Sequence, residues 1–130
     1  MASELRVNTL KDASGNNSVG MAYVAGGSAK MWVNFNGEST LAIRDDLNVT
    51  SVTDNDTGDY TINMTSAMSN ANYAALVTCS RDDTTNGTGT IHGSSAAPTA
   101  SALRITGRIP TTSGAVDTAF SNAAAHGDLA

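Results

Sequence analysis

The sequence predicts a small all-β protein, an antiparallel β-sandwich or jelly-roll-like barrel carrying an extended N-terminal arm. Three observations carry this. Short apolar/polar alternations recur every 8–12 residues or so, as in sandwiches and barrels. Asn, Asp and Gly turns separate them. Hardly a helical period is visible between Ala29 and Met68.

The elements follow in order. In Glu4–Leu10, Leu5 and Val7 share a face that excludes Arg6, the pattern of a half-buried strand. Lys11–Ser28 holds four glycines and an Asn pair and reads as irregular chain. Residues 1–28 are therefore expected to be an arm that gains order against something else, the alternative being a disordered segment. Its apolar side chains, Leu5, Val7, Leu10, Met21 and Tyr23, are candidate contacts with a subunit or a larger particle. Residues 29–122 form the expected β domain, and 123–130, small and polar, a flexible tail.

Within the domain, Lys30–Asn36 puts Met31, Val33 and Phe35 on one face and Trp32, Asn34 and Asn36 on the other. Trp32 then lies outside the core stripe, where a subunit contact is preferred over a ligand site. Leu41–Arg44 is a short strand stopped by Asp45-Asp46. Residues 47–53 and 60–65 form a hairpin with its turn in Asp54–Asp59 and a bulge near Ser51. Tyr73–Ser80 is the most continuous apolar run and the expected central strand. Arg81–Gly89 is a polar loop and Thr90–His92 a brief strand. Leu103–Ile109 alternates again, with a turn at Pro110 and Gly114. Val116–Ser121 is a last strand or a short helix.

Composition narrows function. The 130 residues suggest one domain. Aromatics are 5% and charged residues 15%, so large apolar side chains are scarce and an isolated monomer is expected to be marginal. With Cys79 as the single cysteine, an internal disulfide is excluded, and oligomerisation is the remaining route by elimination. The net charge of -5 argues against nucleic acid and anionic membranes as partners. No signal peptide or membrane-length apolar run is read, so a soluble protein is expected. Sequons at Asn16, Asn48, Asn55, Asn63 and Asn86 are expected to stay unmodified.

Catalytic grammar is missing. His92 and His126 have no metal-ligand spacing with Cys79. Asp54, Asp56 and Asp59 around Gly58 miss the calcium-loop pattern by one place and lack its glutamate, so they read as turn chemistry. Asp45/Asp46 and Asp82/Asp83 read as solvated pairs. Neither a nucleophile elbow nor a phosphate-binding glycine loop occurs. No enzyme, cofactor or metal is expected.

The opening SELRVNTLKDASGNNS and the block WVNFNGESTLAIRDDLNVTSVTDNDTGDYTINMTSAMSNANYA resemble virion structural proteins of tailed bacteriophages, of the marine-phage tail-fibre, head-fibre or capsid-decoration type. The resemblance spans residues 3–80. It implies a β-rich homotrimer, located in the virion after assembly in the host cytoplasm, whose N-terminal segment attaches to capsid or tail proteins. The expected function is a capsid decoration (cement) protein or a short fibre-like appendage. The alternative is a tail-fibre module that recognises host-surface glycan through Trp32 and residues 81–99.

Overall fold

In a computed structural model the described residues are 3–80, 91–93, 96–109 and 114–130. The polar loop at Arg81–Gly89, the Asp82/Asp83 pair, the Asn86 sequon and most of the turn at 110–114 lie outside them.

Among the described residues, ten strands and one short helix follow one another along the chain. They are β1 (Thr9–Lys11), β2 (Ser18–Gly20), α1 (Met21–Gly27), β3 (Met31–Asn36), β4 (Ala42–Leu47), β5 (Val49–Asp56), β6 (Asp59–Met64), β7 (Ala74–Ser80), β8 (Ile91–Gly93), β9 (Ala102–Arg108) and β10 (Phe120–His126). Eight of them form two four-stranded antiparallel sheets, β4-β3-β10-β7 and β5-β6-β9-β8. Both sheets are open, so the architecture is a sandwich.

The alternations place the core. Met31, Val33 and Phe35 of β3 and Ala123 and Ala125 of β10 face Tyr60, Ile62 and Met64 of β6 and Leu103 and Ile105 of β9. The Phe35 and Tyr60 rings meet edge to face across the sheets, 5.1 Å between centroids. One chain thus supplies twelve buried apolar residues, counted among those described. Elimination by a missing core therefore no longer argues for an oligomer.

The expected hairpin is present as β5–β6, and its register slips between Val49 and Ser51, where the bulge was expected. Gly58 closes the turn at φ +63. A sequon residue makes the corner between the sheets. Asn48 (φ 61) alone separates β4 from β5. Its Nδ2 donates to the Lys30 and Ser66 carbonyls, each at 3.0 Å, and its Oδ1 accepts from the Ser66 N–H at 2.7 Å. Asparagine tolerates the left-handed region and supplies these bonds together.

Several expectations need correction. The half-buried strand read over Glu4–Leu10 forms only from Thr9, as the exposed β1. Residues 123–126, read as the start of a flexible tail, belong to β10, which lies between β3 and β7 with Ala123 and Ala125 buried. The small side chains of Ala123 and Ala125 join the core cluster with Met31, Val33 and Phe35. The run at 73–80, read as central, is the edge strand β7, with Leu76 58% exposed. The strand at 41–44 is not stopped by Asp45-Asp46; β4 runs on to Leu47 as an exposed edge, where charge is tolerated and discourages sheet-to-sheet aggregation. Residues 11–28 are not irregular throughout. They carry the β1–β2 hairpin and α1.

Tyr60 ties the sheets together. Its buried hydroxyl lies 2.8 Å from an Asp117 carboxylate oxygen, to which it donates, and 3.0 Å from the Gly37 carbonyl. Burial, with the Asp117 bond second, raises its pKa far above the usual 10.0; burial also raises that of Tyr73. The folded chain then keeps phenol protons that the unfolded chain releases. Stability from these groups is complete below the unfolded value and declines as pH rises past it. Urea midpoints are expected to fall above about pH 10, and to fall less steeply in Tyr60→Phe. Equal slopes for the two proteins would refute the assignment.

Candidate surface on the outer face of the β4-β3-β10-β7 sheet

Side chains that alternate away from the core build this face. Because residues paired across strands share a face, the register orders them into rows. Leu47, Trp32, Ala124 and Leu76 form an apolar row across β4, β3, β10 and β7. Asp45, Asn34, Asn122 and Thr78 form the next. Phe120, two positions further along β10, begins a third with Ser80.

The middle row is hydrogen-bonded in one direction. Asn34 Nδ2 donates to Asn122 Oδ1, and Asn122 Nδ2 donates to Thr78 Oγ1 at 3.4 Å. Each amide group carries two N–H donors, so each keeps one beyond these bonds. Trp32, Leu76 and the Asn34–Asn122 pair line an open groove of about 410 Å³.

A second open groove, about 490 Å³, continues the face past the amides; Asn36, Glu38, Arg44 and Phe120 are among its lining. The Arg44 guanidinium stacks over the Phe120 ring, 4.5 Å from its centroid, a cation–π contact. Its Nη2 donates to the Ala119 carbonyl at 2.7 Å, and its Nη1 lies 3.5 Å from Asn34 Oδ1. Asn36 braces the loop that walls this groove, donating to the Glu38 carbonyl at 2.8 Å and the Thr40 carbonyl at 3.2 Å. Arg44 forms no ion pair with any described carboxylate, whereas Arg104 grips Asp59 with two bonds of 2.7 and 2.8 Å.

Chemically the face offers an aromatic plate, spare amide donors and acceptors, and a guanidinium held in place. That set suits reversible recognition of a polar ligand with apolar patches. Among the described residues no cluster of histidine, cysteine and carboxylates is placed to hold a metal ion. No helix there is long and apolar enough to cross a membrane.

Of the residues singled out in the sequence, Trp32 alone belongs here, half-buried on β3. Leu5 and Tyr23 are each 79% exposed, in the arm and on α1. Leu10 is 42% exposed and pairs with Val19 in the β1–β2 hairpin. Val7 and Met21 are half-buried. Asn34, Arg44, Leu76, Phe120 and Asn122 were missed. The alternation of β3 had marked Asn34 as outward. Phe120 and Asn122 were hidden because β10 was not recognised as a sheet partner. His126 Nδ1 lies 3.1 Å from the Gly27 carbonyl, a bond between β10 and the end of α1.

Comparison with known proteins gives one structural likeness. Over 92% of its length the chain superposes on 23% of a chain in the "Crystal structure of phiAB6 tailspike in complex with three-repeated oligosaccharides of Acinetobacter baumannii surface polysaccharide", with a TM-score of 0.55 and 16% identity. The chain is similar in fold to part of a phage tailspike and spans about a quarter of that protein's length. No family of known proteins and no curated protein matches its sequence.

Proposed function

We propose that this chain is a non-catalytic module of a phage tail appendage, and that its outer sheet face binds host-surface oligosaccharide. The observation that carries the reading is the alignment of Trp32 with the Asn34–Asn122 pair on an open, flat face. Sugars present C–H faces that lie on aromatic rings and hydroxyls that exchange hydrogen bonds with amides. The tailspike fold and the sequence resemblance point the same way. Capsid decoration, the other expected role, draws no support from this face. The arm, with Leu5, Leu10 and Tyr23 exposed, is the proposed contact with tail proteins or sister chains. A homotrimer would multiply weak sugar contacts. Light scattering tests this, and a mass staying at 13.2 kDa would exclude it.

A glycan array of bacterial surface oligosaccharides tests the binding. The intact chain is expected to bind selectively. Trp32→Ala is expected to weaken binding roughly tenfold to hundredfold, as loss of a central aromatic anchor does at interfaces. Its melting temperature should change little, because Trp32 faces away from the core. A silent array, or binding unchanged in Trp32→Ala, would sink the proposal.

A further inference from the structure

We infer that the ligand of this face is an uncharged, linear oligosaccharide lying along β3 and β10, from Trp32 to the Arg44–Phe120 pair. The inference rests on the glycan-binding reading and specifies its chemistry and length.

Length comes from the register. Trp32 stands opposite Ala124, and Phe120 lies four residues back along the same strand. At about 3.4 Å per residue, the apolar row and the Phe120 end are about 14 Å apart. One sugar cannot cover that distance, whereas a short chain of sugars can. Between the ends stands the amide row, which both donates and accepts. The amide row lines the first groove, and Arg44, which lines the second, lies 3.5 Å from Asn34 Oδ1 of that row.

Charge excludes the acidic alternative. Arg44 is the cation of the second groove, but Glu38 lines the same groove. Asp45 stands opposite Asn34 in the middle row. The whole chain carries -5. A carboxylated polysaccharide would bring more negative charge to a face whose carboxylates outnumber its one guanidinium. Arg44, fixed over Phe120 and bonded to the Ala119 carbonyl, retains N–H donors among its five that suit neutral hydroxyl oxygens. The Glu38 carboxylate can accept from hydroxyl groups, which an acceptor-only carboxylate ligand cannot satisfy.

The test uses the full chain and an array graded in length, from disaccharide upward, in neutral and uronate-containing series. Neutral chains are expected to bind, with a roughly tenfold gain once they are long enough to reach Arg44. Arg44→Gln should abolish that gain, whereas Trp32→Ala should weaken the binding of short and long chains alike. Preference for the uronate series, or a length gain that survives Arg44→Gln, overturns the inference while leaving glycan binding in place. A silent array overturns both readings. If, in addition, the chain self-associates and Trp32→Ala makes it monomeric, a second copy is the occupant of this face.

Discussion

A chain ended at Ala119 is expected not to fold. The residues removed look dispensable, with small side chains, three consecutive alanines and a polar end. Yet β10 is the strand on which one sheet depends. It pairs at five positions with β3 and at seven with β7. Without it β3 loses one neighbour, and β7, already an edge, is left with none in its sheet. Ala123 and Ala125, buried at 4% and 0%, leave the core open over Met31, Val33 and Phe35. Unpaired backbone groups would then face apolar surface, each costing about 1–3 kcal/mol when it stays buried. At that cost a dozen lost pairings match or exceed the 5–15 kcal/mol by which a domain of this size is stable. Circular dichroism should show no cooperative melting for the truncated chain. Retained cooperative melting would mean that β10 is an accessory strand. Removing 128–130 alone is the control. It deletes the backbone bonds from Ser69 N–H to Asp128 and from Ala130 N–H to Ala67, at the rim of the molecule. That variant should melt cooperatively a few degrees lower.

The same strand shows what the sequence could and could not tell. β3, β6 and β9 alternate bulky apolar and polar residues, and period-two patterning identifies a half-buried strand. The β5–β6 bulge was legible because Val52 falls out of phase with Val49. In β10 the inward residues are Ser121, Ala123 and Ala125, and the outward ones include Phe120 and Ala124. Polarity does not alternate there. Alanine also favours helix and is depleted in strands, so local preference pointed away from the outcome. Tertiary packing decided it, since β10 has a strand on either side and its inward alanines join the core. β7 misled in the opposite sense. Its unbroken run AALV suggested burial on both faces, but Leu76 points outward into the candidate groove while Val77 packs on the core. An apolar run can thus mark a face that is reserved for a ligand. The site could not be assembled from the sequence because its rows join residues far apart in the chain, such as Asn34 and Asn122.

Gly58→Ala is expected to destabilise the hairpin strongly. Two independent costs act at this position. The backbone sits at φ +63, where an L side chain crowds its own carbonyl, at about 1–2 kcal/mol. A β-carbon there would also lie 2.5 Å from the Val116 carbonyl oxygen, 2.7 Å from the Val116 nitrogen and 2.7 Å from the Gly107 carbonyl oxygen. All three are backbone atoms, so no side-chain rotation relieves the overlap, and overpacking adds about 1–3 kcal/mol. Nor can the turn move freely. The Gly58 N–H donates to Asp117 Oδ1 at 2.6 Å, and the Gly58 carbonyl accepts from the Gly107 N–H at 2.7 Å. Asp117 in turn takes the Tyr60 hydroxyl, which lies against Gly37 and so reaches the loop beside the second groove. A total of about 2–5 kcal/mol should lower the melting temperature by roughly 8–20 °C in a domain of this size. Gly26→Ala is the matched control. A β-carbon there meets no atom within 4 Å, and alanine favours the helical backbone of α1, so no loss is expected. Calorimetry on the two variants separates the effect of position from that of losing a glycine. If both melt within a few degrees of the parent chain, the close approach of Gly58 to Val116 and Gly107 is not a structural constraint.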